Sequence, residues 1–526
     1  MKNQPNILHI FTDMQRFDTI HALGNTAIKT PNLDRLVNKG VSFTSCYSPS
    51  PVCIAARCSM IYGQEPYHTG CFENTIMPTD GRQTFMDALS QYGYRTHGIG
   101  KCHFTPDRFD LKGFQSREVQ EEGEESADTL FRNDYFSYLH EKGYEYICEP
   151  NGIRGEMYYT PQPSQLPPKD HPTQWVGDRS VAFIKEDHVQ PWYLFSSFIH
   201  PHPPFTPPNP WHKLYRFDDV SLPFFSDDEE LTFVNIIQNR YKYASLGLNS
   251  YQQKLIKCYY YACISFVDYQ IGAILDALQE SGQADNTLII FSSDHGEYLY
   301  DHRCLGKRSM HDPAARVPMI VYQKAKFEGG KRCATPVSLI DIAPTILASA
   351  HLNPTVLETH PLDGKDLYKI LTKQDSRDTV YSQLSFQADF AKDILVKNQQ
   401  KIYLEKDIQG IVRFSTYMAV NDTWKYFYSA PDDKEFLFDR EHDPHELTNL
   451  AKSPGHQCQM KRMRNILINH LNDLGETEAL DAGDFKHFDV ICTNDDPFTG
   501  LLIQDAYTPW ANMELPSEYQ DSKDTL

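Results

Sequence analysis

Short apolar segments alternate with segments of helical periodicity over the first two-thirds of this chain. The strand-like segments span residues 7–12, 41–47, 95–99, 192–198, 287–291 and 318–322. The helical segments between them span residues 31–36, 54–62, 84–92, 254–279 and 340–349. Alternation of this kind predicts an α/β fold in which helices flank a large, mostly parallel sheet.

The pattern changes near residue 370. Short segments that alternate between polar and apolar residues span 402–404, 415–420, 424–429 and 435–439, and helical segments follow at 446–451 and 459–474. We therefore predict a catalytic α/β domain over residues 1–370 and a smaller C-terminal α+β subdomain with an antiparallel sheet over 371–475. Residues 476–526 have no clear period and are expected to be a tail that wraps the surface.

Charge and cysteine usage narrow the class of protein. The chain has 50 Lys and Arg residues against 70 Asp and Glu residues, a formal charge of −20, so nucleic acid is not an expected partner. Its twelve cysteines are scattered and form no CxxC motif, which suits reduced thiols. No apolar run reaches the length of about 18 residues that spans a membrane, and the first strand-like run is too short for a signal peptide. These features predict a cytoplasmic protein without a membrane partner.

The stretch SPSPVCIAARCSMIYG, residues 48–63, places Cys53 directly before a predicted helix. Arg57 lies one turn further, on the same face of that helix. A helix N-terminus favours anions, so Cys53 is a candidate for reactive chemistry beside an anionic group. The ordinary alternative is a buried structural cysteine, and the residues elsewhere in the chain are needed to choose between the two interpretations.

Polar side chains follow four of the predicted strands, where ligands of open α/β sheets bind. They are Asp13 after the first strand, Lys101 and His103 after the third, His200 and His202 after the fourth, and Asp294 and His295 after the fifth. Taken singly, each has an ordinary explanation as a turn residue, a packed ring or a solvated charge. Taken together they offer carboxylates for a hard cation, positive charges for an anion and histidines for proton transfer.

These residues lie within segments that resemble the type I, formylglycine-dependent sulfatases of the alkaline phosphatase superfamily. The resemblance extends over nearly all of residues 5–455. The segments, in order, are PNILHIFTDMQR, SPVCIAARCSMIYGQ, GIGKCH, HPHPPF, SSDHGEYLYDHRCLGKRSM, LIDIAPTIL and FDREHDPHELTNLA. The resemblance implies an alkaline-phosphatase-like fold and hydrolysis of a sulfate ester to an alcohol and inorganic sulfate.

The same resemblance implies a role for each site residue. Cys53 would be oxidised after translation to formylglycine, whose hydrate attacks the sulfur. The other roles would be divided as follows: Asp13, Asp294, His295 and the modified residue 53 bind one divalent cation; Arg57 orients the hydrate; Lys101 contacts the hydrate and the sulfate; His103 takes the proton from the second hydroxyl; His202 protonates the leaving oxygen; Lys307 binds a sulfate oxygen; and Asn74 contacts the sulfate. The cation is expected to be Ca²⁺, with Mg²⁺ or Mn²⁺ as alternatives.

Two positions depart from the family pattern. Met14 stands where relatives often carry a second carboxylate or amide ligand, so Gln15, water or no ligand fills that place. Ala55 replaces the common proline of the signature, which points to a radical-type maturation enzyme as a partner. The expected substrate is a small aryl or sugar sulfate, and the oligomeric state is left open.

Three other functions compete with the sulfatase hypothesis. A phosphonate monoester or phosphodiester hydrolase of the same superfamily is the runner-up, although those relatives tend to replace the residues at Lys101 and His103. A catalytically silent protein that only binds sulfated ligands would not need the full set of proton-transfer residues. A plain cysteine hydrolase that uses Cys53 and His103 would not need the cluster of Asp13, Asp294 and His295.

Overall fold

The computed structural model describes residues 4–122, 132–154, 157–385, 395–396, 412–493 and 502. Its main sheet has eight strands: β1 (Asn6–Asp13), β2 (Val41–Phe43), β3 (Arg95–Gly100), β4 (Ser116–Val119), β5 (Trp192–Pro201), β6 (Thr287–Ser293), β7 (Met319–Tyr322) and β8 (Lys331–Cys333). Their order across the sheet is β8-β2-β7-β6-β1-β5-β3-β4. Every neighbouring pair is parallel except the two pairs made by β7. The predicted α/β architecture is confirmed.

The centre of this sheet is covered on both faces. Every residue of β1, β5 and β6 is buried, as expected for the near-continuous apolar runs of strands between two layers of helices. The helices of seven or more residues are α1 (Pro31–Lys39), α2 (Cys53–Tyr62), α3 (Phe85–Gln91), α4 (Asp134–Glu141), α5 (Pro172–Ile184), α6 (Ser250–Glu280), α7 (Ile342–Ser349) and α8 (Gln457–Leu474). Shorter α-helical turns span Pro66–Thr69, Phe233–Asn235, Asp312–Ala315 and Leu367–Leu371.

Helix α6 is the longest element, and it packs against α5 and β5. Its length and composition would allow it to cross a membrane, but 83% of its most apolar window is buried inside the molecule. A helix that is apolar around most of its circumference and covered by protein on its faces is typical of the core of a large globular domain.

A second sheet follows the main one, as predicted. It has four antiparallel strands in chain order, β9 (Val380–Ser385), β10 (Ser415–Val420), β11 (Trp424–Ser429) and β12 (Lys434–Asp439), and α8 packs on β10 and β11. The strand predicted at 402–404 lies outside the described residues. Between the two sheets, a small sheet of three two-residue strands joins Val337–Ser338, Cys46–Tyr47 and Arg316–Val317.

The helix predicted at 446–451 is wrong. The chain forms turns there, and Glu446 has a left-handed backbone with φ +56°. Its carboxylate points inward, where it accepts the backbone N–H of Asp312 at 2.6 Å and pairs with the buried Lys425. A buried ion pair has overridden local helix propensity. Of the predicted tail, residues 476–493 pack on the second sheet through Phe485, and most of the remainder lies outside the described residues.

Candidate active site

Four strands of the main sheet end at one place. In the parallel register, Thr12 lies opposite Ser293 on one side and Phe198 on the other, and Gly100 lies opposite Ser197. The residues that follow these strands therefore meet at the carboxyl edge of the sheet. Gly100 has φ +88°, and a Cβ there would lie 2.0 Å from the Ser197 carbonyl oxygen, so only glycine allows the turn that delivers Lys101.

Helix α2 brings Cys53 to this edge. Cys53 is its first residue, and Gly63 ends it in the left-handed conformation that glycine favours. All ten residues of α2 are buried. The N-terminus is held by Asn74, whose Oδ1 accepts the backbone N–H of Ile54 at 3.0 Å. Asn74 therefore lies at the N-terminus of the helix that Cys53 begins, where it caps one of the free N–H groups.

Asp13, Cys53, Asp294 and His295 form a candidate metal centre. One ligand atom from each lies within 4.8 Å of the others, and all four residues are buried. Burial and the neighbouring charge of Asp13 raise the pKa of Asp294. Two buried carboxylates and an imidazole nitrogen that converge on one point suit a divalent cation, which would relieve the repulsion between the carboxylates.

Three cations surround the same point. Lys307 Nζ lies 2.6 Å from Cys53 Sγ, and Lys101 Nζ lies 2.6 Å from an Asp13 carboxylate oxygen. Arg57 donates to both Asp294, at 2.9 Å, and Asp13, at 3.2 Å. Burial alone would raise the pKa of the Cys53 thiol, but the charges of Lys307 and Lys101 hold this pKa well below its ordinary value. The site is therefore built to stabilise negative charge at residue 53.

Besides His295, the structure brings two of the other three candidate histidines into the site. His202 Nε2 lies 3.1 Å from Lys307 Nζ, and His103 is among the groups that lower the pKa of the Cys53 thiol. Burial lowers the pKa of His202. His200 instead lies behind the site, between the hydroxyl groups of Thr173 and Thr206 at 3.2 Å each, where it is a packed ring.

The side chain of Met14 places no oxygen in the metal centre. Met14 contributes backbone groups only, since its N–H donates to Asp294 and its carbonyl accepts from Tyr260. Gln15 lies next to it and is fully buried, and its amide nitrogen donates to the Thr19 hydroxyl at 3.2 Å. The Gln15 Oε1 atom is buried and has no hydrogen-bond partner in the described part of the chain.

Three residues that no sequence motif marks border this cluster. Glu122 lies 2.5 Å from Lys101 Nζ and 2.5 Å from the Arg154 guanidinium, and the Tyr158 hydroxyl lies 3.4 Å from His202 Nε2. Glu122 belongs to the acidic run QEEGEE, which has the composition of a solvated surface segment. No local pattern marks it, because only the path of the chain after β4 brings it to the site.

Comparison with known proteins gives matches along most of the chain. Residues 5–352 match the family model described as sulfatase, and residues 300–473 match the one described as N-sulphoglucosamine sulphohydrolase, C-terminal. An arylsulfatase of Clostridium perfringens is 30% identical, covering 89% of this chain and 94% of the relative. A choline-sulfatase of Rhizobium meliloti is 27% identical over 91% and 88%. A phosphonate monoester hydrolase of Agrobacterium radiobacter has a similar fold, with a TM-score of 0.73, 23% identity and coverage of 90% and 96%.

Proposed function

Because the chain belongs to the sulfatase family and is a sulfuric ester hydrolase, we propose that it uses a formylglycine made from Cys53 and one divalent cation to hydrolyse a small sulfate ester. The products are an alcohol and inorganic sulfate. The observation that carries this proposal is the convergence of Cys53 with two buried carboxylates, a histidine and three cations. A plain cysteine hydrolase would gain nothing from the carboxylates.

Asp13, Asp294, His295 and the modified residue 53 would hold the cation. Their mixture of carboxylate oxygens and one ring nitrogen suits Ca²⁺, and Mg²⁺ or Mn²⁺ are alternatives. When bound, the cation supplies Lewis acidity that lowers the pKa of a hydroxyl and neutralises sulfate oxygens. Arg57 donates hydrogen bonds to both Asp13 and Asp294, so its guanidinium holds the two carboxylates in position relative to each other.

A formylglycine hydrate at residue 53 supplies one hydroxyl that attacks sulfur and a second whose deprotonation later releases sulfate. The chain provides the rest. Lys101, beside Asp13, and Lys307, beside Cys53, would bind the sulfate oxygens, and the side-chain amide nitrogen of Asn74 would add a neutral donor. His202 would give a proton to the leaving oxygen, and His103 would take one from the second hydroxyl.

The presence of Lys101 and His103 favours sulfate over phosphonate esters, because the phosphonate hydrolases of the superfamily tend to replace both residues. Both residues also act on the Cys53 thiol by lowering its pKa. The ring of Tyr158 stacks near Tyr243, with 6.2 Å between centroids, on the His202 side of the site. This aromatic pair would face the leaving group of an aryl or sugar sulfate. The predicted radical-type maturation enzyme and the predicted cytoplasmic location belong to the same proposal.

The test begins with mass spectrometry of the peptide that contains Cys53, isolated from the native organism. We expect an aldehyde in place of the thiol, and an intact thiol in fully active protein would contradict the proposal. The matured enzyme should also hydrolyse 4-nitrophenyl sulfate with a higher kcat/KM than the matching phenylphosphonate monoester. The opposite order would instead identify a phosphonate monoester hydrolase. Cys53→Ala should lose at least about 10⁴-fold in kcat/KM, because it removes the nucleophile.

A further inference from the structure

Glu122 reaches the site from the segment that follows β4. We propose that Glu122 is a positioning residue, a single carboxylate that orients both proton-transfer histidines, His103 and His202. The inference rests on the proposed function and extends it to a residue outside the sequence motifs. Its two oxygens are shared between the two rings, so one side chain would set the direction of two separate proton transfers.

The distances define this bridge. One Glu122 oxygen lies 3.3 Å from His202 Nδ1, and the other lies 3.9 Å from His103 Nδ1. His103 Nδ1 is buried and has no hydrogen-bond partner among the described residues. A small rotation of the His103 ring would close this gap to a hydrogen bond. A buried, unpartnered ring nitrogen this close to a carboxylate identifies the group meant to hold it.

On the other side of His202, Nε2 lies 3.1 Å from Lys307 Nζ, which itself lies 2.6 Å from Cys53 Sγ. His103 is among the groups that lower the pKa of the Cys53 thiol. An acceptor at Nδ1 keeps a proton on that nitrogen in both the neutral and the protonated ring, so Nε2 is the atom that gains or gives the proton in catalysis. For His202 the carbonyl of Pro203, at 2.7 Å from Nδ1, assists, whereas for His103 only Glu122 is within reach in the described residues.

The carboxylate can stand beside an anion site because its charge is offset. Lys101 and Arg154 each contact it at 2.5 Å, and its side chain is 11% exposed. Burial would raise the pKa of Glu122, but His202, Lys101 and Arg154 hold this pKa well below its usual range. Glu122 is therefore an ionised acceptor that adds little net repulsion toward a bound sulfate.

The competing explanation is a purely structural ion pair of Glu122 with Lys101 and Arg154. The two explanations differ in leaving-group dependence. If Glu122 aims His202, its loss should slow poor leaving groups most, because these need the proton. If Glu122 only supports the fold or Lys101, all sulfate esters should slow by the same factor.

The experiment compares matured wild-type enzyme with Glu122→Gln on phenyl sulfate and 4-nitrophenyl sulfate. The phenolate leaving group has an ordinary phenolic pKa of about 10, and 4-nitrophenolate is far less basic. We expect kcat to fall about 100-fold or more for phenyl sulfate and about 10-fold or less for 4-nitrophenyl sulfate, with smaller changes in KM. Equal losses on the two esters, or none, would overturn the inference.

Glu118→Gln is the matched control. Glu118 also pairs with a histidine, since one of its oxygens lies 3.3 Å from His97 Nε2, and it pairs with Arg179 as well. Glu118 lies in β4 and His97 in β3, outside the site. We expect its kinetics to equal those of the wild type. If Glu122→Gln does not fold, Glu122→Asp keeps the charge and withdraws the carboxylate by one methylene, so it should show the same leaving-group trend with smaller losses.

A spectroscopic measurement separates this inference from the proposed function. In ¹⁵N spectra of the histidine side chains, wild-type His103 and His202 should carry the proton on Nδ1, and Glu122→Gln should show a mixture of tautomers for His103. An unchanged His103 tautomer would overturn the inference. Wild-type enzyme that turned over neither ester would overturn the proposed sulfatase activity, and the tautomer result would still decide the role of Glu122.

Discussion

Two groups of buried charges differ in how their charged atoms are arranged. In one group the charged atoms surround a shared point, and in the other they pair with each other. In the active site, charged groups converge on one point beside Cys53, where four ligand atoms lie within 4.8 Å of one another. We call the other group the junction cluster, formed by Tyr47, Asp312, Arg316, Lys425 and Glu446. It joins the small three-stranded sheet, which contains Tyr47 and Arg316, to strand β11 of the second sheet, which contains Lys425.

In the junction cluster the charges are directed at each other. Lys425 Nζ contacts Asp312, lies 2.5 Å from a Glu446 oxygen and donates to the Met310 carbonyl at 3.0 Å. Asp312 accepts further bonds from Tyr47 and Arg316. A closed cluster of this kind holds two parts of a chain together, whereas charges that face a shared point are available to a ligand.

The largest effect should come from opening the junction cluster. Lys425→Met would leave Asp312 and Glu446 buried without their shared cation, at a cost of about 3–5 kcal/mol in the free energy of unfolding. We expect a large fall in Tm and in the denaturant midpoint. Lys452→Met is the control, since the Lys452 side chain is 83% exposed and its one ion-pair partner among the described residues is Glu230, so it should change stability by about 0.5 kcal/mol or less. Similar losses for the two variants would contradict the stabilising role of the junction cluster.

A smaller effect should come from filling the active-site cluster. Adding Ca²⁺ to chelator-treated protein, at about 100 times its Kd, should stabilise the folded state by about 2.7 kcal/mol, because only the folded state assembles the ligands. Asp294→Asn should abolish the rise in Tm. Asp268→Asn, which alters another buried carboxylate in α6, should retain it. A rise that survives in Asp294→Asn would place the cation elsewhere.

Glu476 differs from both groups of charges, because no cation contacts its buried carboxyl group among the described residues. Glu476 accepts from Gln383 and Tyr417, and burial raises its pKa to about 7. A carboxyl group whose pKa is raised on folding destabilises the folded state as pH rises above the unfolded value of about 4.3. From pH 5 to pH 8 this should cost about 2 kcal/mol, and Glu476→Gln should remove that part of the pH dependence of Tm. A variant with the wild-type slope would show that Glu476 is not the source.

The sequence predicted most of the site because its residues follow buried strands directly. Asp13 is the last residue of β1, and Lys101 and Asp294 come directly after β3 and β6, so strand pattern and motif suffice to group them. Glu122 and Glu446 were missed for the opposite reason. Each carboxylate reaches its partners through an irregular segment, and long-range ion pairing rather than local periodicity decides where such a segment goes.

Strand β9 and helices α4 and α5 also went unpredicted. Ser382 and Gln383 in β9 are neighbours and both polar, so this strand lacks a regular alternation of polar and apolar residues. Both are buried: Ser382 donates to the Ser48 carbonyl, and Gln383 donates to the Pro49 carbonyl and to Glu476. The polar strand is stabilised by hydrogen bonds across the subdomain boundary, which single-segment patterns do not record.

The burial of α2 affects when an enzyme can reach and modify Cys53. Cys53 is 1% exposed, and the turn before it is tied down because Arg308 donates its backbone N–H to Pro51 and its guanidinium to Glu73. A maturation enzyme that must reach the Cβ atom of residue 53 finds it sealed once these contacts form. We therefore expect the proposed conversion of Cys53 to formylglycine to take place before these contacts form, so the yield of active protein would depend on the relative rates of modification and folding.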